Sequence, residues 1–332
     1  MRVLVTGASS LIGSGVAIAL ADRGDDVVCL QRRTPDALVD RPEIVQRLAD
    51  IRDGAAVADA ARGCDAIVHL AAKVGVTGPW EEYRSINVGG TANVVAAADA
   101  HGVGRVVHVS SPSVAHGGEP IVGGDAGPPV LGRRRAWYAE SKAIAELAAL
   151  HRVSSTLGVV AVRPHLVWGP GDTQLVGRIV DRARSGRLAL VGGGRALVDT
   201  TYIDNAVDAM VAALDAVGPG ATCSGRAYVI SNGEPRMIRE LVEGICGAAG
   251  VEFAPRDVSL RAGRAVGAVV ERVWPLVRPH EEPPLTQFLA DQLGTAHWFD
   301  PRPARDDLGW TPSVSIDAGL ARLADWYAGH PV

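Results

Sequence analysis

The stretch "WYAESKAIAE" sets Tyr138 and Lys142 four residues apart, which on a helix puts both on one face, about one turn from each other. That spacing has a chemical use. A phenol with a pKa of about 10 is a poor base at neutral pH, whereas a neighbouring ammonium stabilises its phenolate and lets it exchange a proton with a carbonyl or hydroxyl group. Taken alone, the pair also describes an ordinary solvated helix. A separate stretch, "VVHVSSPSV", has a buried-strand pattern that ends in Ser110 and Ser111.

The chain also carries a candidate phosphate cradle near its start. "TGASSLIG", Thr6 to Gly13, follows the apolar run "VLV" and opens a helical pattern, so helix N-terminal N–H groups would point at a pyrophosphate. Dinucleotide turns usually carry three glycines, and only Gly7 and Gly13 are present. Gly7 permits the sharp exit from the strand and Gly13 the close packing of helix on strand. After the second strand, an acidic residue would bind a ribose 2′-hydroxyl and an arginine a 2′-phosphate. Here the strand reads "VVCLQRR". Gln31 takes the acidic position and Arg32 and Arg33 follow, so NADP(H) is expected over NAD(H).

These groups need a scaffold, and the first half supplies the pattern of one. Short β-branched runs ("RVLVT", "DDVVCL", "DAIVHL", "RVVHVS", "VVAVRP") alternate with alanine-rich helical stretches, which predicts an α/β fold: a Rossmann-type doubly wound parallel sheet buried on both faces. After Arg163 the rhythm breaks into Gly- and Pro-rich loops such as "WGPGD", with helical pieces at 205–217 and 236–250. We expect residues 1–163 to form the dinucleotide-binding domain, with "RAYVIS" near 226–231 returning to its sheet. Residues 164–332 would form the smaller substrate-binding part, including an apolar lid from about Val258 to Leu293.

Composition narrows the partner. At 332 residues with a net charge of −4, the chain can bury a sizeable core and shows no basic face for nucleic acid. No apolar run approaches the roughly 20 residues of a membrane span. The first strand begins beside Met1, so we expect no signal peptide and a cytoplasmic protein. Cys29, Cys64, Cys223 and Cys246 lack metal-ligand spacing and read as buried hydrophobes. The expected partner is a small molecule, with no metal, and a homodimer is compatible with the sequence.

Together these motifs resemble the short-chain dehydrogenase/reductase superfamily, from residue 1 to about residue 215. Its extended members carry T-G-x-x-G-x-x-G, which puts Ser10 in place of the middle glycine, where its hydroxyl would donate to a phosphate oxygen. The resemblance implies that Ser9, Leu11 and Ile12 complete the turn. It further implies that Asp50 and Ile51 sit beside the adenine, that Leu70, Ala71 and Ala72 run along the cofactor, and that Pro164 and Val167 also bind the cofactor. Ser111 would hold the substrate oxygen, Tyr138 exchange the proton, Lys142 also bind the nicotinamide ribose, and Asn87 in "INVGGTANVV" support the site.

Within the superfamily, "SSPSV" lacks the carboxylates that sugar-nucleotide dehydratases use, and Leu166 replaces the asparagine with which epimerases contact a sugar diphosphate. "SSPSV", "RPHLVWGPGD" and "YIDNAVDA" are instead similar to the 3β-hydroxysteroid dehydrogenase branch, whose bacterial members include 2-alkyl-3-oxoalkanoate reductases. That implies reversible hydride transfer between NADP(H) and a ketone or secondary alcohol on an apolar skeleton. The alternatives are a sugar-nucleotide epimerase and a non-catalytic NADP-binding redox sensor. Val74, Ser113, His165 and Trp168 are candidate substrate contacts. His116 and the arginines at 133–135 read more simply as structural or solvated.

Overall fold

The computed structural model describes residues 1–75, 78–116, 119–132, 137–277 and 286–330. Its main sheet comprises β1 (Arg2–Thr6), β2 (Asp26–Gln31), β3 (Val45–Leu48), β4 (Ala66–His69) and β5 (Arg105–Val109). After β6 (Ile121–Gly124), which lies elsewhere, β7 (Gly158–Pro164) continues it. Beyond β8 (Val167–Trp168), β9 (Ala189–Val191), β10 (Leu197–Val198) and β11 (Thr201–Tyr202), the last member is β12 (Ala227–Ile230). The order is β12-β7-β5-β4-β1-β2-β3, and every neighbouring pair is parallel. The returning strand expected near 226–231 is therefore β12, on the β7 edge.

This order follows from burial on both faces. In β1, Val3 and Val5 enter one core cluster and Leu4 the other, the period of two that a pleated strand imposes. Helix α1 (Leu11–Asp22) and the later helix over Ile203–Ala216 cover the first face; α2 (Gly54–Ala61) and, after the short α3 (Trp80–Tyr83), α4 (Gly90–His101) cover the second. The chain leaves β1 toward β2 and β3, then crosses to β4, β5 and β7. The reversal between β1 and β4 opens a crevice at their carboxyl ends, where such sheets take ligands.

Helix α5 (Trp137–Leu150) packs in the first half, and α6 (Val176–Arg184), α7 (Ile203–Ala216) and α8 (Ile238–Ala248) in the second. A smaller mixed sheet is built from β13 (Arg236–Met237), β10, β15 (His297–Phe299) and β6, in that order, with β14 (Arg256–Val258) pairing β9 outside it. The β6 contribution is not visible in local pattern: a first-half segment leaves its neighbours to pair with β15 near the C-terminus, so the two halves share a sheet across the 163/164 division. The expected lid is a helical pair, α9 (Leu260–Val277) against α10 (Gln287–Gly294); its 278–285 connection lies outside the described residues. The two helices touch where a Cβ on Gly267 would come within 2.5 Å of the Gln287 amide.

Among the described residues no helix is long and apolar enough to cross a membrane, and no cluster of potential ligands could hold a metal. All four cysteines are free and buried. Burial pushes the Cys29 thiol up to about 12.

Candidate active site

The crevice between β1 and β4 is a cleft lined by Gly7, Ser9 and Ser10 of the first turn, by Gln31 and Arg32 after β2, by Asp50 and Ile51, and by Leu70, Ala71 and Ala72 after β4. Gly7 has φ +77°, and a Cβ there would stand 2.6 Å from the Ala71 amide nitrogen. A side chain at position 7 would thus fill the cradle as well as strain the backbone. A Cβ on Gly13 would come within 2.4 Å of the Gly7 carbonyl oxygen. The turn is closed for any residue but glycine at both ends and open toward the cleft, which fits a dinucleotide pyrophosphate over the start of α1.

Ser10 does something other than the expected phosphate donation. Its hydroxyl donates to the Gly7 carbonyl at 2.9 Å and accepts from the Gly13 amide at 3.1 Å, so its one proton is spent on the Gly7 carbonyl while its oxygen caps α1. Of its neighbours, Leu11 opens α1 and is exposed, Ile12 packs on the core, and neither lines the cleft. At the adenosine end Gln31 is buried and donates to Gln46 at 3.0 Å. Arg32 lines the cleft, whereas the exposed Arg33 does not. The carboxylate of Asp50 accepts two hydrogen bonds from the Arg52 guanidinium at 2.9 and 2.8 Å. Arg52, with Arg32 nearby, holds Asp50 at about 2; its charge is thereby matched, and Arg32 stays available for an anion.

A smaller cavity of ≈ 180 Å³ adjoins the ends of β5 and β7 and is lined by Ser111, Ser113, Tyr138, Pro164 and His165 among others. Ser111 leaves β5 in extended backbone, and its Oγ lies 2.9 Å from the Ser113 Oγ. Tyr138 lines the same cavity, where Ser111 exerts a small downward pull on its phenol. Ser110, one residue earlier, is buried outside that lining. Burial pushes the Tyr138 phenol up, against a smaller opposing pull from Ser111. Lys142 is buried, and its Nζ donates to the Val109 carbonyl at 2.5 Å; burial brings it down to about 8. The polar group that acts on the phenol is therefore Ser111, while the ammonium sits against the end of β5, a turn along the helix.

Asn87 lies in a π-helical segment, Arg84–Gly89. Its Oδ1 accepts from the Lys73 amide at 2.7 Å, and its Nδ2 donates to the Lys73 carbonyl at 3.0 Å and to Ser141 at 2.9 Å. It ties the β4 exit to the helix bearing Tyr138, as a positioning residue. A second fastening was not foreseen. Arg163 and Glu146, both fully buried, form a two-point pair at 2.8 and 2.5 Å, and Arg163 also donates to the Ala126 and Gly127 carbonyls. The signal was present, since Glu146 follows Lys142 by four residues and so shares its face, and Arg163 interrupts an apolar strand.

The family model described as 3-beta hydroxysteroid dehydrogenase/isomerase family matches residues 4–259. The chain belongs to this family. A 2-alkyl-3-oxoalkanoate reductase of Stenotrophomonas maltophilia is 46% identical over 97% of the chain and 98% of the relative. One of Shewanella oneidensis is 39% identical over 97% and 85%. A 3-beta-hydroxysteroid dehydrogenase of Mycolicibacterium neoaurum is 33% identical over 98% and 91%. Among solved structures, UDP-glucuronic acid 4-epimerase from Bacillus cereus with NAD has TM-score 0.77 at 20% identity, covering 99% of both chains, which bears on the fold alone. As a family member the chain is an NAD(P)-dependent dehydrogenase/reductase of the extended short-chain type.

Against the family's expected contacts, the structure rearranges several residues. Trp168 is fully buried, donates to Thr200 at 2.9 Å and meets the Tyr202 ring edge-on; it is core, not a substrate contact, because the β8–β11 pairing turns it inward. Val74 lines the nucleotide cleft rather than the Tyr138 cavity, Pro164 does the reverse, and Val167 packs against the core. Ser113 and His165 do line the cavity, as does His116. Gln292, His297 and Phe299 join them from the far end of the chain, beyond the reach of any local signal. The arginines at 133–135 lie outside the described residues.

Proposed function

We propose that this protein reduces a ketone to a secondary alcohol with NADP(H), on a small-molecule substrate whose reacting carbon sits on an apolar skeleton of the 3-oxoacyl type. The observation that carries this reading is the meeting of Ser111 and Tyr138 in one cavity beside the dinucleotide cleft. The Gly7–Gly13 turn, with Leu70, Ala71 and Ala72, would hold the dinucleotide, and Arg32 would meet its 2′-phosphate. The bound nicotinamide supplies hydride to the carbonyl carbon.

The chain's own residues supply the rest. A phenol raised by burial keeps its proton at neutral pH, so Tyr138 is a proton donor to the ketone oxygen as negative charge grows there. The Ser111 hydroxyl, in the same cavity as the phenol, would give the oxygen a second donor. Lys142, buried and held at about 8, places a cation one helical turn behind Tyr138, where it favours the phenolate left after transfer. We assign residues 164–332, without β12, to the substrate side. In solution NADPH absorbance should fall on addition of 2-alkyl-3-oxo acids or their esters and stay level with UDP-sugars; the opposite pattern overturns this reading.

A further inference from the structure

The cavity that holds Ser111 and Tyr138 is also walled by three histidines drawn from distant parts of the chain. The His165 and His297 rings meet edge-on at 5.0 Å, and His116 and His297 at 6.3 Å. Two of the rings have their tautomer set by a carbonyl. Nδ1 of His165 donates to the Asp199 carbonyl at 2.6 Å, and Nε2 of His297 to the Gln292 carbonyl at 2.5 Å. A carbonyl only accepts, so those nitrogens carry the hydrogens, and in the neutral rings Nε2 of His165 and Nδ1 of His297 carry lone pairs. Nδ1 of His297 is buried without a hydrogen-bond partner among the described residues.

We propose that His165 and His297, with His116 beside them, form the recognition site for the carboxyl group of a 3-oxo acid and bind it together with one proton. This rests on the ketone-reductase reading of the same cavity. Two lone pairs would repel a bare carboxylate, but one added proton, on a ring or on the acid, turns the contact into a charge-assisted or donor–acceptor hydrogen bond. Burial, with the neighbouring rings, brings His165 down to about 3, and burial holds His297 below its usual range. Both rings are thus neutral at working pH, and the proton must arrive with the ligand. Among the described residues, the other titratable groups around them are Tyr138 and, behind His165, Asp199, whose carboxylate accepts from Ser231 and the Gly233 amide. On α10, Asp291 is paired with Arg264 of α9. At ≈ 180 Å³ the cavity falls below the roughly 300–1,000 Å³ of whole drug-sized sites. It takes the reacting head of the substrate, where ketone and carboxyl are one carbon apart, and leaves the alkyl chains outside.

The test uses the stable oxidation direction, with a 2-alkyl-3-hydroxy acid, its methyl ester and the matching alcohol without a carboxyl group, each with NADP⁺. Between pH 6 and 8 the ratio of kcat/KM for acid over ester should fall about tenfold per pH unit, since binding consumes one proton above the pKa of both the free acid and the free rings. His165→Asn keeps a donor near the Nδ1 position and His297→Gln keeps one near Nε2, so the structural hydrogen bonds to Asp199 and Gln292 have replacements. Each should lower kcat/KM for the acid about 10- to 100-fold and for the ester less than threefold. Calorimetry of hydroxy-acid binding to the wild-type NADPH complex, in which no hydride transfer can follow, should register uptake of one proton in buffers of different ionisation enthalpy. A flat acid-to-ester ratio, equal losses on both substrates, or no proton uptake overturns the inference while leaving the reductase reading intact. If none of the three compounds is oxidised, the reductase reading fails for this substrate class and the inference fails with it.

Discussion

The nucleotide cleft and the substrate cavity are built in different ways. The cleft comes mostly from the turns that follow β1, β2 and β4, neighbours in the sheet, and its shape is set by backbone: a positive φ at Gly7 and a closest approach to Ala71. The cavity draws on Ser111, Tyr138, His165, Gln292 and His297, which come from the ends of β5 and β7, the start of α5, α10 and β15. Backbone turns tolerate few residue types but leave a local trace. A wall of side chains from distant elements leaves almost none, and its precision depends on how those elements are fastened.

The sharpest test of the contrast is Tyr138→Phe. It should keep cofactor binding, read by NADPH fluorescence titration, while lowering kcat by about 10²- to 10⁴-fold, the worth of a positioned acid. A variant that turns over normally removes Tyr138 from the chemistry. Breaking a fastening comes next. Glu146→Ala leaves the Arg163 guanidinium buried without its partner and should cost about 3–5 kcal/mol in urea unfolding, because Arg163 is fully buried. If stability is unchanged, the pair does not secure α5.

On the cleft side, Arg32→Ala should weaken NADPH binding about 10- to 100-fold and leave NADH nearly unchanged; a wild-type protein that prefers NADH would refute the assignment of Arg32 to a 2′-phosphate. The smallest effect is expected on α9. Val269 is 60% exposed and is absent from the Tyr138 cavity lining, so Val269→Ser should shift stability by no more than about 0.5 kcal/mol and leave the kcat/KM ratio of large to small ketones unmoved. A change in that ratio would show that the outer face of the helical pair handles substrate after all.

Much of the cleft was legible because its signals are short in sequence. The T-G-x-x-S-x-x-G turn, the Gln31-Arg32 exit of β2 and the Leu70–Ala72 run each lie within a few residues, and each lines the cleft as its position in the fold requires. Misplaced expectations came where one residue could serve two partners. The Ser10 hydroxyl could reach a phosphate or cap its own helix, and the Gly7 carbonyl and Gly13 amide were nearer. Trp168 could line a pocket or fill a core, and the pairing of β8 with β11 decided it. The apolar segment from residue 260 suggests a pocket lid, yet Val266, Val269 and Val273 are exposed.

By itself the sequence determined the parallel sheet, the glycine turn, the one-face spacing of Tyr138 and Lys142, and the strand exit that delivers Ser111. Each is a consequence of backbone geometry or period, and period is a local property of the chain. Only the tertiary structure decided that Ile121–Gly124 would pair with His297–Phe299, that Arg163 would meet Glu146, and that three histidines would share a cavity with Ser111 and Tyr138. Those contacts join residues far apart in sequence, and their identity depends on which buried surfaces and unpaired polar groups are left once the local elements have formed.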